Sequence, residues 1–357
     1  MSASLPTRIT VVTDAWHPQV NGVVRSIERT NLELGRLGAE VTMVTPASFR
    51  TLPMPSYPEI RLAIASYRTV AREIERGQPA YVHIATEGPL GLKARRWCRR
   101  HGMPFTTSYH TRFPEYVSAR FPVPQRLLYA LVRRFHNGGA GCMVATESLA
   151  RELEARGFRN LMHWSRGIDA DLFRPRPQAE SVFDLPRPIF INVGRVAVEK
   201  NLEAFLDLDL PGSKVVVGDG PARASLERHY PAVTFTGALF GEALARAYAS
   251  ADVFVFPSRT DTFGNVLLEA LSSGLPVAAY PVMGPIDIVG GTGAGVLDEN
   301  LGRAALAALD LDREAARQLA LQYSWRRAAE QFLVNVRVAN GEARPADWPP
   351  ITQENRA

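Results

Sequence analysis

RITVVTDAWHPQVNGVVRSIERTNLELGRLGAEVTMVT, residues 8–45, reads as strand, helix and strand in succession. Arg8–Thr13 is a β-branched run of the length expected of a buried strand. From Val23 to Gly38 the apolar residues Val24, Ile27, Leu34 and Leu37 recur near helical spacing. Gly38 is a natural helix stop, because glycine tolerates the left-handed backbone that ends helices. Glu40–Thr45 (EVTMVT) is then a second strand. A strand, a crossover helix and a second strand of this kind predict a parallel pair.

The alternation continues outward. Tyr67–Arg76 reads as helix, Tyr81–Ile84 as strand, Leu90–His101 as helix, Pro104–Ser108 and Cys142–Thr146 as strands, and Ser148–Arg156 as helix. It restarts after the Pro-rich Phe173–Pro177 (FRPRP), which reads as a linker. Strands are expected at Pro188–Gly194, Lys214–Gly218, Ala232–Thr236, Asp252–Pro257 and Val277–Ala279. Helices are expected at Asn201–Leu208, Gly264–Ser273 and Ala304–Gln322. The fold class is therefore α/β, with two doubly wound parallel sheets in tandem. The expected domains are 1–170, 171–322, a helix over 323–338, and a polar, Pro-rich tail over 339–357. Open sheets bind ligands at the carboxyl ends of their strands. Two such edges facing across a cleft suit an enzyme that brings two large substrates together.

Composition narrows the class. At 357 residues the chain exceeds one ordinary core, and 46% apolar with 22% charged residues is typical of a globular protein. Cys98 and Cys142 make no disulfide framework, so a reducing compartment is expected. The polar Met1–Arg8 runs straight into a strand without a leader pattern. The longest apolar runs fall short of the ~20 residues of a membrane-spanning helix. Residues 1–170 hold 23 Lys and Arg against 13 Asp and Glu, a net +10, and the remainder carries −5. That asymmetry fits an anionic surface or ligand on the first half. It also fits compositional drift, since the chain uses Arg throughout and has only three lysines.

Four segments carry candidate chemistry. In Pro257–Glu269 (PSRTDTFGNVLLE) a strand ends, and Asp261 or Thr262 can cap a helix starting near Phe263. The Gly264 and Asn265 amides would then face outward at a helix N-terminus, which favours phosphate. Asp261 and Glu269 could accept hydrogen bonds from the two ends of a nucleotide sugar. The plain alternative is a capping Asp and an amphipathic-helix Glu. In Gly194–Asn201 (GRVAVEKN), Arg195 and Lys200 follow a strand within one loop, placed to neutralise a diphosphate or else merely solvated. In Asp14–Ser26 (DAWHPQVNGVVRS), Gly22 permits close approach to a phosphate, but the segment is no GxGxxG fingerprint. In Ser108–Tyr116 (SYHTRFPEY), His110 follows a strand, where a ligand-facing and a structural role both stand open.

Other features are set aside. Asp207-Leu208-Asp209 has a metal-binding DxD form, yet it closes a short helix before Pro211-Gly212 and reads as a turn. Gly290–Gly295 (GGTGAG) follows no clear strand and reads as a flexible loop. Lys93–Arg100 (KARRWCRR) reads as the solvated face of a helix, with Leu92 and Trp97 inward.

The order GRVAVEKN, VVVGDGP (Val215–Pro221), FTG (Phe235–Gly237) and PSRTDTFGNVLLEALSSGLPV resembles the retaining family-4 glycosyltransferases of GT-B fold. TDAWHPQVNGVVRS and TSYHTRFPEYV are similar to their glycolipid-forming and mannosyl-transferring members. The resemblance spans residues 8–335 and implies roles by position. Arg195 and Lys200 match the diphosphate-binding pair. Glu269 matches the acid that holds the donor ribose, and Asp261 the acid that contacts the transferred sugar, with Asp standing where Glu is usual. Phe263, Gly264 and Asn265 fall where backbone meets sugar and phosphate. Gly22 matches the glycine beside the β-phosphate, and His110 the histidine facing the sugar. Asp219 lies near the base pocket, and Tyr323–Val336 resembles a helix that returns to the first domain.

The resemblance implies a retaining, metal-independent hexosyltransferase without a cofactor, the nucleotide sugar being a co-substrate. The expected donor is UDP-glucose or UDP-glucuronate, and the expected acceptor a membrane lipid such as diacylglycerol. The alternative is a GDP-mannose-dependent α-mannosyltransferase. The expected location is cytoplasmic, peripheral at the inner face of the plasma membrane, on an anionic surface and with no nucleic-acid partner. From other classes, a non-catalytic nucleotide-sugar-binding protein and a sugar-phosphate hydrolase or phosphorylase stand beside it. A pyridoxal-dependent phosphorylase would need a lysine near the C-terminus, and the last lysine is Lys214.

Overall fold

The computed structural model describes residues 7–19, 21–54, 57–118, 122–177 and 180–343. These form two compact units, one of residues up to Arg166 together with those from Trp325 onward, and one of Gly167–Ser324. Residues 344–357, most of the expected tail, lie outside the described residues.

The first unit runs β1 (Thr7–Val12), α1 (Gly22–Arg36), β2 (Ala39–Val44), β3 (Arg50–Met54), β4 (Tyr57–Ile64), α2 (Tyr67–Arg76), β5 (Tyr81–Ile84), α3 (Pro89–His101) and β6 (Phe105–Ser108). It continues through α4 (Phe113–Ser118), α5 (Gln125–His136), β7 (Gly141–Val144), α6 (Glu147–Ala155) and β8 (Leu161–His163). Its parallel sheet has the order β2-β1-β5-β6-β7-β8, while β3 and β4 form a separate antiparallel hairpin. Successive strand residues face opposite ways. Ile9 and Val11 pack with Ile27 and Leu34 of α1, whereas Val12, Val82 and Ile84 pack with Val70 and Ile74 of α2 and with Leu90, Ala94 and Trp97 of α3. Each Val, Leu or Ile among them contributes about 1.5–3 kcal/mol when fully buried.

The second unit runs β9 (Ile189–Val193), α7 (Glu203–Leu206), β10 (Ser213–Val217), α8 (Arg223–His229), β11 (Thr234–Gly237), α9 (Gly241–Ala249), β12 (Val253–Phe256) and α10 (Asn265–Ser272). It ends with β13 (Val277–Ala279), α11 (Pro285–Val289), β14 (Gly295–Leu297), α12 (Leu301–Ala308) and α13 (Arg313–Leu321). The sheet order is β11-β10-β9-β12-β13-β14, all parallel. Every residue of β9, β12 and β13 is buried, so these segments read as apolar runs broken only by Asn192, whose amide donates to the Val255 carbonyl at 2.9 Å. The last helix, α14 (Trp325–Ala339), belongs to the first unit: Ala328, Ala329, Phe332 and Val336 complete the cluster of Ile9, Val11 and Ile27.

Several expectations are corrected. Ala304–Gln322 is two helices, because the Asp312 carboxylate accepts from the Glu314 and Ala315 amides and starts a new one. Asn201 opens no helix: its φ of +53° is left-handed and its side-chain amide donates to the Pro257 carbonyl at 3.0 Å, so α7 begins only at Glu203. Leu92 points outward, 54% exposed, while Trp97 is buried as expected. Gly295 is the first residue of β14, so GGTGAG is a connection that ends in a strand.

Candidate active site

In each sheet the order reverses beside its first strand, and ligand sites of open α/β sheets form at such reversals. In the second sheet the reversal lies between β9 and β12. The loop after β9 carries Arg195 and Lys200, and the loop after β12 carries Asp261. Strand order thus brings together two segments some sixty residues apart in sequence. The Lys200 ammonium meets Asp261 Oδ1 at 2.6 Å. Two further bonds tie the loops: Asn201 Nδ2 to the Pro257 carbonyl, and Thr260 Oγ1 to the Glu199 carbonyl at 3.5 Å. Asp261 Oδ2 is shielded from solvent and takes no hydrogen bond. A buried carboxylate oxygen in that state costs free energy that a ligand hydroxyl would recover.

The β9 loop is also held from its other side. The Gly194 amide donates to the Val217 carbonyl and the Val196 amide to the Asp219 carbonyl. This approach requires glycine: a Cβ on Gly218 would stand 1.8 Å from the Gly194 oxygen, and one on Gly220 2.3 Å from the Val196 oxygen. Asp219 itself is exposed, accepting from the Gly220 amide at 2.7 Å and pairing with Arg223 at 3.3 Å. Arg195 is half-buried directly after Gly194.

The helix after Asp261 starts later than expected. The N-cap position falls not to Asp261 or Thr262 but to Gly264, at φ +89°, which supplies no side chain. Asp261 is turned to Lys200 instead, a partner that sequence proximity cannot reveal. The N-terminus of α10 is left without a side-chain cap, which favours an anion. Phe263 is buried against Tyr323 with ring centres 6.3 Å apart. Asn265 is the first helical residue. Glu269 is 6% exposed and accepts from the Tyr248 hydroxyl of α9 at 2.9 Å. Sequence reading missed Tyr248, whose helix ALARAYA shows nothing to set it apart.

In the first unit Gly22 is the exposed first residue of α1, capped by Asn21, whose side chain accepts from the Val23 and Val24 amides at 3.0 Å. His110 follows β6, and its Nδ1 lies 3.2 Å from Arg166 Nη2. Guanidinium can only donate, so Nδ1 accepts and the imidazole proton sits on Nε2. Burial and then the charge of Arg166 hold His110 well below the ordinary histidine range. Arg166 is itself buried, its guanidinium 4.6 Å from the Trp164 ring centre. Behind them His83 bridges Thr106 at 2.9 Å and Ser108 at 2.8 Å, and burial followed by the charge of Arg166 lowers it to about 3. The pair His136–Glu87, at 2.9 Å, was also missed.

Asp207 stands at the end of α7 and accepts from the Tyr230 hydroxyl at 2.6 Å. Among the described residues no three His, Cys, Asp or Glu side chains are grouped to hold a metal ion. Among them, too, no helix is long and apolar enough to cross a membrane.

The Glycosyltransferase Family 4 model matches residues 20–172, and the Glycosyl transferases group 1 model matches residues 187–311. The chain is 32% identical to sulfoquinovosyl transferase SQD2 of Arabidopsis thaliana, over 93% of this chain and 73% of that protein. The chain belongs to the family-4 glycosyltransferases. This glycosyltransferase is also 30% identical to a GDP-mannose-dependent alpha-mannosyltransferase of Mycobacterium tuberculosis, over 94% of this chain and 97% of that one. It is 27% identical to the alpha-monoglucosyldiacylglycerol synthase of Streptococcus pneumoniae, over 76% of this chain and 71% of that one. Its fold is similar to sucrose-phosphate synthase from Thermosynechococcus elongatus, with a TM-score of 0.77 at 19% identity over 94% of this chain and 100% of that one. The glycosyltransferase has the two Rossmann-like domains of the GT-B fold.

Proposed function

We propose that this glycosyltransferase moves a hexose or hexuronate, with retention, from a nucleotide-diphosphate sugar to a membrane lipid such as diacylglycerol. UDP-glucose and UDP-glucuronate are the favoured donors. The observation that carries the reading is the meeting of Lys200 with Asp261 beside the uncapped start of α10. There, Arg195, Lys200 and the α10 amides would take the diphosphate, and Asp261 Oδ2 a sugar hydroxyl. Glu269 would hold the ribose, with Asp219 near the base. Phe263, Gly264 and Asn265 would line the sugar and phosphate, and Gly22 would sit by the β-phosphate. His110, neutral with its proton on Nε2, would donate a hydrogen bond to the sugar.

In this reading the anomeric C–O bond breaks as negative charge gathers on the diphosphate, which the two cations stabilise. The acceptor oxygen bonds to the same face, and its proton passes to a diphosphate oxygen. No metal is needed, because Arg195 and Lys200 supply the positive charge. Arg195→Ala and Lys200→Ala, assayed with chelator present, are expected to lose most transfer. Near wild-type rates in both would overturn the assignment.

The lipid acceptor draws support from the diacylglycerol named in the Streptococcus pneumoniae relative and from α5. That helix exposes Leu127 and Leu131, 58% and 63% accessible, beside the exposed Arg126, Arg133 and Arg134. Apolar side chains among arginines suit a peripheral position on an anionic leaflet, where each cation adds about 1 kcal/mol. Equal flotation with neutral and anionic vesicles would remove this support. A second reading, a GDP-mannose donor, rests on the near full-length similarity to the Mycobacterium tuberculosis mannosyltransferase. Thermal-shift measurements with UDP- and GDP-sugars separate the two, since a bound donor raises apparent stability.

A further inference from the structure

The amino ends of the strands in the second unit, opposite the candidate donor site, carry a different constellation. Arg187 precedes β9, Asp252 precedes β12, and Arg313 opens α13. Asp252 Oδ2 accepts from the Ile189 amide at 2.6 Å, and Oδ1 pairs with Arg187 and stands 3.9 Å from Arg313. Each guanidinium also donates to a carbonyl, Arg187 to Ser250 at 3.2 Å and Arg313 to Ala251 at 3.1 Å. Two cations therefore share one carboxylate, half of which is already committed to the backbone. Burial pulls Arg313 below its ordinary value against the opposing pull of Asp252, and the neighbouring Arg187 adds a smaller lowering.

These groups line a cavity of about 370 Å³ together with Pro188, Pro276, Leu309 and Leu311. A second cavity of about 310 Å³ lies across the same Arg187–Asp252–Arg313 ridge. There Arg176 is gripped by both Glu242 oxygens, at 2.8 and 3.0 Å, and stands 3.7 Å from Glu180, so its charge is already met. The Arg187–Asp252–Arg313 ridge carries one more positive than negative group and borders the cavity that Pro188, Pro276, Leu309 and Leu311 also line.

We propose that this chamber is a binding site for a small anionic amphiphile, separate from the donor site. Arg187 and Arg313 hold its phosphate or carboxylate head, and Leu309, Leu311 and the two prolines take its apolar body. Paired guanidiniums match such head groups in geometry and charge. The volume lies within the range of small-ligand pockets. The inference rests on neither the donor nor the lipid acceptor proposed above.

The test titrates the full chain, by calorimetry, with inorganic phosphate, octyl phosphate below its micelle concentration, and octyl glucoside. Octanoate forms a fourth arm that separates a carboxylate from a phosphate head. Octyl phosphate or octanoate should saturate at one site, phosphate bind more weakly, and octyl glucoside not bind. Arg313→Gln should weaken the binding roughly tenfold to a hundredfold, the usual cost of one charge-assisted bond. Leu311→Gln, which leaves the ion pairs intact, should erase the advantage of octyl phosphate over phosphate. Saturating UDP or GDP should leave the titration unchanged. Unaltered binding in both variants, competition by nucleotide, or no saturation by either amphiphile would overturn the proposal.

Discussion

Lys200→Met separates the two things the ammonium can do. In the protein as it stands it pairs with Asp261 at 2.6 Å, with side chains 26% and 17% exposed. A charge-assisted bond contributes about 1.5–3 kcal/mol, and partial solvent screening brings this pair toward about 1 kcal/mol. Global stability should therefore fall by only about 1 kcal/mol. Transfer should fall much further. Losing one preformed stabiliser of a departing oxyanion costs about 2.7–4 kcal/mol, or roughly a hundredfold to a thousandfold in rate. The assay is steady-state transfer beside urea denaturation, for Lys200→Met, Asp261→Asn and the double variant. If lysine serves only to neutralise Asp261, the double variant regains the activity that Lys200→Met lost. If it serves the diphosphate, the double variant stays at least as slow as Lys200→Met. Recovery in the double variant, or a Lys200→Met rate within tenfold of wild type, would refute the reasoning.

Three further outcomes follow from the same geometry. Gly220→Ala forces a Cβ toward the Val196 oxygen, so donor affinity should fall along with a loss of about 1–3 kcal/mol in stability, read by thermal shift with and without donor. Tyr248→Phe removes the hydroxyl that Glu269 accepts from; stability should drop by about 1 kcal/mol and donor KM rise more than kcat falls. His83, neutral in the fold and lowered to about 3, gains its proton more readily when unfolded. Its stabilising contribution is complete above about pH 6.5 and lost as pH falls toward its folded value. His83→Gln should flatten that acid limb of the stability profile, and the wild-type imidazole should show no NMR titration between about pH 5 and 8.

The strands were legible because a sheet covered on both faces demands nearly continuous runs of β-branched and aromatic residues, as in IFINV and VFVF. The helices failed where local and distant partners compete. Asp261 has the chemistry of a cap but spends it on a lysine some sixty residues earlier. Asp312, in a stretch of helical periodicity, does cap and breaks it. α5 went unread because its exposed leucines blur the apolar stripe that marks a helix against a core. β8 and β14 are only partly buried, so no apolar run marks them as one marks the equally short β13. At the site, sequence named the segments, but only strand order could say that those after β9 and β12 meet. The Arg187–Asp252–Arg313 group, drawn from three separate segments, left no trace in any motif.

The helix behind Asp261 is closed on nearly every side: Leu267, Leu268, Glu269, Ala270, Leu271 and Ser272 are all buried. The stretch 258–264 before it is more open, with only Ser258 and Phe263 buried. Mutation can therefore explore the two at very different tempos. A change at a half-buried position of the loop displaces little packing, while one in the helix disturbs a filled interior. If Asp261 holds the sugar as proposed, drift in the loop would retune sugar preference while the helix behind it stays untouched.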